Sequence, residues 1–341
     1  MTRQDLDWEN IGFAYHKTNF RYVANFKHGI WEDGGLTSDE TVVLNESAGV
    51  LQYCQSVFEG LKAYRTRDGK IVTFRPDLNA ERMETSAIGL EMPPFPRNRF
   101  LEAIDQVVKA NSDWVPPFGS GATLYIRPYL FATSPVMGIK PAETYQFRVI
   151  CTPVGPYFKG GARPLTLCVS DYDRAAPHGT GHLKAGLNYA MSLHAYVSAH
   201  AAGYDENLFL DPATRTYVEE TGGANFLFVT KEQEIVTPQS GSILPSITRR
   251  SMLHVAEHIL GLKVSERPVK LTELEDFAEC GLCGTAAVIS PVGRIVDHGR
   301  EIRFPSGMER MGLVTQKLYD LLTGMQLGLV ESPAGWIRQI C

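Results

Sequence analysis

Twelve consecutive residues in the middle of the chain, Pro153-Val-Gly-Pro156-Tyr-Phe-Lys-Gly160-Gly161-Ala-Arg-Pro164, hold three prolines and three glycines. Proline fixes φ and removes a backbone donor, so neither a helix nor a central strand can run through such a segment. The 341 residues therefore divide into two halves, in keeping with a prior of about 150 residues per domain. We expect a first domain over 1–153, a linker over 154–163 and a second domain over 164–341.

Both halves alternate strand and helix signals. In the first, Val57–Tyr64 and Lys70–Phe74 read as strands around Asp68-Gly69, a favoured hairpin pair. A helix is predicted over Pro76–Leu90, opened by proline where its missing N–H costs nothing. A second, Asn98–Asn111, lines up Leu101, Ile104, Val107 and Val108. Strands Ala122–Phe131 and Tyr145–Pro153 complete that half. In the second half, Leu165–Ser170, Leu208–Leu210, Tyr217–Glu219, Asn225–Thr230 and Ala286–Ser290 read as strands. Helices are predicted over Leu187–Ala202, with Leu193 and Val197 inward, over Ser246–Leu260 and over Leu313–Leu322. A shorter one opens at the capping-box pattern Thr272-x-x-Glu275. The fold class is α/β (α+β).

Several partners are excluded at this stage. No run approaches about 18 apolar residues, so no membrane-spanning helix is expected. The terminus MTRQDLDWEN has no apolar core for a secretory signal. Lys plus Arg number 33 against 38 Asp plus Glu, a net charge of −5. With no polybasic block, neither nucleic acid nor an anionic membrane is an expected partner. Six scattered cysteines fit a reduced, cytoplasmic chain better than a disulfide framework.

Residues with chemistry cluster in a few segments. Lys184 stands between the loop His178-Gly-Thr-Gly-His and an amphipathic helix. An amine held near apolar groups is pushed towards its neutral form, as imine formation requires; a surface lysine at a helix start fits the same pattern. Glu219-Glu220 precede a small-residue turn and the strand at Asn225. A carboxylate there needs a cationic partner, either a pyridinium nitrogen or an arginine. Arg75, the helix start Ser246-Ile247-Thr248 and the turn Gly284-Thr285-Ala286 could each hold a phosphate. Tyr125 and Arg127, two apart in a strand, share one face, where together they can grip a carboxylate.

No metal site is expected. His254-Val-Ala-Glu257-His258 matches an inverted zinc-protease pattern, but it lies opposite Leu253, Ala256 and Leu260, on the solvated side of its helix. Cys280-Gly-Leu-Cys283 lacks the second pair that four ligands need, and it reads as two small residues near a turn.

Taken together, the segments resemble the branched-chain amino-acid aminotransferases, pyridoxal-phosphate enzymes of fold type IV. The resemblance rests on Tyr53-Cys-Gln-Ser-Val-Phe58-Glu-Gly, Phe74-Arg75-Pro, Tyr125-Ile-Arg127-Pro, Lys184-Ala-Gly-Leu-Asn-Tyr189, Glu220-Thr-Gly-Gly-Ala-Asn225, Leu244-Pro-Ser-Ile-Thr248-Arg and Cys283-Gly-Thr285-Ala, in that order. It implies a small N-terminal α/β domain, a larger C-terminal pseudo-barrel domain and a homodimer. It further implies transfer of the amino group of leucine, isoleucine or valine to 2-oxoglutarate through a lysine aldimine, giving 2-oxo acids and glutamate. By position, Lys184 would be the catalytic lysine, Glu220 would meet the pyridine nitrogen and Tyr189 the ring's phenolic oxygen. Arg75, Ile247, Thr248 and Thr285 would hold the phosphate. Tyr53 (from the partner subunit), Phe58, Tyr125, Arg127 and Ala286 would contact substrate.

The chain departs from the family pattern at Leu187, commonly glycine. It also has Ala287 and Ser290 where some members carry a redox-active cysteine pair. D-amino-acid aminotransferases and aminodeoxychorismate lyases share the lysine, the carboxylate and the phosphate site. The aromatic lining with one anion grip favours branched substrates. A zinc hydrolase and an inactive protein of the same fold are the readings from other classes.

Overall fold

The computed structural model describes residues 6–8, 10–155 and 163–341. Most of the expected linker, 154–163, thus lies outside the described residues. The chain forms two compact units, one of Met1–Tyr157, Leu183–Leu187 and Met325–Cys341, the other of Phe158–His182 and Asn188–Gly324.

The first unit runs β1 (Arg21–Lys27), β2 (Ile30–Trp31), β3 (Gly35–Thr37), α1 (Gly49–Tyr53), β4 (Ser56–Phe58), β5 (Leu61–Arg65), β6 (Ile71–Phe74), α2 (Pro76–Gly89), α3 (Arg97–Ala110), β7 (Thr123–Ala132) and β8 (Tyr145–Val154). Its strands form one antiparallel sheet, in which β7 pairs with β4, β5 and β8. Both predicted helices form, because apolar residues recur at helical spacing: Phe100, Ala103, Ile104, Val107 and Val108 of α3 are buried. They pack with Leu124, Ile126, Leu130 and Phe147 of the sheet. Each of the larger side chains contributes roughly 1.5–3 kcal/mol by leaving water.

The second unit runs β9 (Leu165–Val169), α4 (Gly186–Ala201, which starts on the first unit), β10 (Glu206–Leu208), β11 (Asn225–Thr230), β12 (Ile235–Pro238), α5 (Ile247–His254), β13 (Val264–Arg267), β14 (Phe277–Gly284), β15 (Val288–Asp297), β16 (Arg300–Arg303) and α6 (Leu313–Gln326). These strands make an eight-stranded sheet, parallel at β9–β10, β9–β15 and β12–β13 and antiparallel elsewhere. The last strand, β17 (Ile337–Gln339), pairs with β6 of the first unit.

Several local expectations are corrected: Val57–Tyr64 is two strands, β4 and β5, Tyr217–Glu219 makes only isolated bridges, and the helix expected over Ser246–Leu260 is α-helical only to His254. On α4 the buried residues are Asn188, Ser192, Ala195 and Ala199, while Leu193 and Val197 are 59% and 62% exposed. A face of small side chains packs closest, and that turned the larger ones outward. The Thr272 segment is a 3-10 turn, Leu271–Asp276, without a side-chain cap. Cys280 and Cys283 sit mid-strand in β14, opposite Val292 and Ile289, rather than at a turn. The strand expected over Ala286–Ser290 begins at Val288.

All six cysteines are free thiols. Among the described residues no helix is long and apolar enough to cross a membrane.

Candidate active site

The first unit sets one amine against an aromatic ring. The segment bearing Lys184 lies along β4, where Phe58 N–H donates to the Lys184 carbonyl at 3.0 Å and Val57 bridges Ala185. On the other side Lys184 N–H donates to Ser86 Oγ of α2 at 2.9 Å. Main-chain bonds in both directions thus fix the lysine's Cα. Its Nζ stands 4.8 Å from the centre of the Phe58 ring.

The same ring meets a second cation. Strand periodicity turns Leu124 and Ile126 of β7 fully into the core and Tyr125 and Arg127 the other way. Arg127 Nη2 donates to Tyr125 Oη at 2.8 Å, and its guanidinium lies 4.6 Å from the Phe58 ring centre and 5.3 Å from that of Tyr125. Gly60 makes this possible, since a Cβ there would overlap the Tyr125 hydroxyl. Phe13 closes on Tyr125 edge-on at 5.6 Å. Such a floor suits an apolar side chain, with one guanidinium at hand for a carboxylate.

Arg75 also belongs to this unit. It is buried, holds φ at 46° and opens α2 just before Pro76. Its N–H donates to the Trp336 carbonyl at 2.7 Å, and its guanidinium stacks 4.3 Å from the Trp336 ring centre. Tyr53, at the end of α1, is 42% exposed and donates its hydroxyl to the Met137 carbonyl at 2.6 Å.

One lysine escaped the sequence reading. Lys62 is buried on β5 opposite Tyr125, and burial pulls its amine down to about 8. A lone lysine among apolar strand residues carries no motif, so only the fold reveals it.

The second unit supplies a carboxylate and an anion cradle. Glu220 is 3% exposed. Its Oε1 meets Arg174 Nη2 at 2.7 Å and accepts Leu244 N–H at 2.8 Å, while Oε2 accepts Asn225 Nδ2 at 2.7 Å. Burial outweighs these partners and raises the carboxyl from 4.5 to about 7. A group so placed favours a further cationic neighbour. Glu219 is held separately, by the hydroxyls of Ser240 and Ser242. Arg174 itself came from a loop with no sequence signal. Tyr189 lies half-buried on the first turn of α4.

At α5, Ser246 is the N-cap and its Oγ accepts Arg249 N–H at 3.2 Å. Ile247 and Thr248 follow on the first turn, where N–H groups and the helix dipole attract anions. Thr285 and Ala286 belong to a three-residue hairpin loop closed by Gly284 and Val288. Val288 holds φ at 66°, a strained setting for a β-branched residue and a mark of a constrained turn.

Among the described residues no group of three His, Cys, Asp or Glu could hold a metal ion. The rings of His254 and His258 lie 4.4 Å apart, tilted by 59°, and exposed Glu257 meets His258 at 3.3 Å.

The sequence profile of the family described as amino-transferase class IV matches residues 56–295. A branched-chain-amino-acid aminotransferase of Haemophilus influenzae is 49% identical over 342 aligned positions, spanning 99% of both chains. The chain belongs to the branched-chain aminotransferases of class IV. Solved structures of the family agree. The Escherichia coli enzyme superposes with a TM-score of 0.81 at 28% identity, over 95% of this chain and 100% of that one. The Thermobaculum terrenum enzyme, in its PLP holo-form, gives 0.78 at 26%, over 95% and 99%. The family profile spans every site residue named from the sequence except Tyr53, which lies just before it.

Proposed function

We propose that the chain transfers the amino group of L-leucine, L-isoleucine or L-valine to 2-oxoglutarate, with pyridoxal 5'-phosphate as cofactor. The observation that carries this reading is the pairing on the Phe58 ring, where an amine and a guanidinium flank an apolar floor. The donor set also fits the cofactor. Glu220 is a buried carboxylate suited to a ring N–H, Arg75 and the α5 terminus suit a phosphate, and Lys184 offers the amine. When bound, the cofactor supplies an electron sink for the substrate's α-carbon.

In this reading Lys184 holds the cofactor and later moves the proton at the α-carbon. Tyr189 faces the ring's phenolic oxygen, and Arg75, Ile247, Thr248 and Thr285 hold the phosphate. Tyr53, Phe58, Tyr125, Arg127 and Ala286 contact substrate. The two domains are divided at 154–163. A cytoplasmic homodimer completes the proposal: free thiols fit a reducing compartment, and exposed Val43, Leu51, Met137 and Ile139 are apolar surface that a second copy would cover.

One spectrum tests the class. The purified protein should show a visible cofactor band that borohydride removes; a colourless protein that pyridoxal phosphate cannot reconstitute would refute the proposal.

Arg127 makes a sharper test. Leucine and glutamate must present the same reacting carbon, so their side chains enter one space, although one is a hydrocarbon and the other an anion. Phe58 and Tyr125 suit the first, and an unpaired carboxylate beside them would be prohibitive. Arg127→Ala should therefore raise KM for 2-oxoglutarate and glutamate, costing about 2–5 kcal/mol as for a truncated charge pair. The half-reaction with leucine should change far less. Single-turnover rates decide it: equal damage to both halves would make Arg127 a structural residue.

A further inference from the structure

One face of α2 carries polar side chains that the proposed reaction does not use. Asn79, Arg82 and Ser86 recur at spacings of three and four, so they share a side of the helix. Beside them Ala80, Met83 and Ala87 are at most 2% exposed, so the stripe borders the core. Polar groups in such a place cost free energy unless they are bonded. Each of the three bonds to a segment that carries Phe58 or Lys184.

Glu59 is fully buried. Its Oε1 accepts Arg82 Nε and its Oε2 accepts Arg82 Nη2, both at 2.7 Å, and Asn79 Nδ2 adds a third bond at 2.7 Å. Its own N–H donates to the Pro128 carbonyl of β7 at 2.8 Å. Seven residues beyond Asn79, Ser86 Oγ takes the Lys184 N–H. Three further on, Gly89 leaves room for Leu183: a Cβ there would lie 2.5 Å from Leu183 Cδ1. Positions 79, 82, 86 and 89 of one helix therefore contact Glu59, Lys184 and Leu183.

We propose that this face of α2 is a positioning template, which sets the height of the Lys184 amine above the Phe58 ring. Arg82 and Asn79 fix the ring through Glu59, and Ser86 fixes the lysine's Cα. The inference rests on the reading that Lys184 carries the cofactor. Its physical warrant is a contrast. Apolar contacts would join helix to sheet at least as stably, because a buried ion pair recovers little beyond its desolvation cost. A bidentate arginine fork adds direction, which apolar packing does not.

Ser86→Ala removes the oxygen that accepts the Lys184 N–H, with little change in side-chain volume. We expect kcat to fall about 10- to 100-fold, the scale of a sub-ångström to ångström misplacement, with KM for leucine unchanged. Cofactor-free Ser86→Ala protein should also attach added pyridoxal phosphate more slowly by a similar factor, and the visible circular dichroism of the bound cofactor should change. The double variant E59Q/R82Q removes both charges together and should act in the same direction through Phe58. Thr85→Ala, on the exposed side of α2, should match the unmodified enzyme. Peptide mapping after borohydride reduction comes first: a label away from Lys184 overturns the underlying reading and the template with it. With the label on Lys184, wild-type attachment rate, dichroism and kcat in Ser86→Ala overturn the template alone, whether or not E59Q/R82Q folds.

Discussion

Lys184→Ala is expected to abolish transamination while leaving a folded protein that binds pyridoxal phosphate without a covalent link. Folding should survive because the bonds that fix this segment belong to its backbone. Lys184 N–H to Ser86, Phe58 N–H to the Lys184 carbonyl and the Val57–Ala185 bridge all persist when the side chain is cut to a methyl. What disappears is the amine 4.8 Å from the centre of the Phe58 ring. The serious rival is Lys62, whose burial pulls its amine down to about 8. Lys140 is solvated, beside an exposed Glu143. Mapping the borohydride-reduced peptide separates the candidates. A label on Lys62, with Lys184→Ala still active, would move the reaction to the other lysine.

The contrast between these lysines shows what the sequence carried. Lys184 was legible because a motif surrounds it, and Tyr125 and Arg127 because strand period two puts them on one face. Helix α3 was legible through apolar residues at helical spacing, and α2 through the proline at its first turn. The misses have physical causes. Gly281 and Gly284 made the Cys280–Cys283 stretch look like a turn, yet it is a central strand whose neighbours approach closely: a Cβ on Gly281 would come within 2.9 Å of Ile289 Cγ2. Pro291 and Gly293 hid the length of β15 in the same way. Leu193 and Val197 failed because hydrophobicity marks a face without saying which neighbour covers it. Ser86, Arg82 and Arg174 were invisible because their partners lie 98, 23 and 46 residues away in the chain. Only tertiary packing brings them together.

Glu220→Gln should lower kcat by about 10²- to 10³-fold, the scale of losing one preorganised electrostatic contact, with little loss of cofactor. The amide cannot hold a proton on the pyridine nitrogen, so the electron sink weakens at the step that needs it. The fold can accept the change. Asn225 now donates to Oε2 while its own Oδ1 is buried without a partner, so rotating that amide would let it accept from the new NH2. Arg174 keeps the carbonyls of Gly181 and Ser242. Burial also gives the carboxyl a signature without cofactor. Folded, it holds its proton up to about 7, whereas unfolded it releases it near 4.5. Between those values the folded state binds more protons, so this group's contribution makes stability fall as pH rises through the window. The melting temperature of the cofactor-free protein, measured from pH 5 to 8, should carry that fall, and Glu220→Gln should remove it. Parallel curves for the two proteins would mean that Arg174 keeps Glu220 ionised throughout. A large rate loss in Glu219→Gln with a mild one in Glu220→Gln would instead exchange the roles of the two acids, although Glu219 is bound by Ser240 and Ser242 rather than by Arg174.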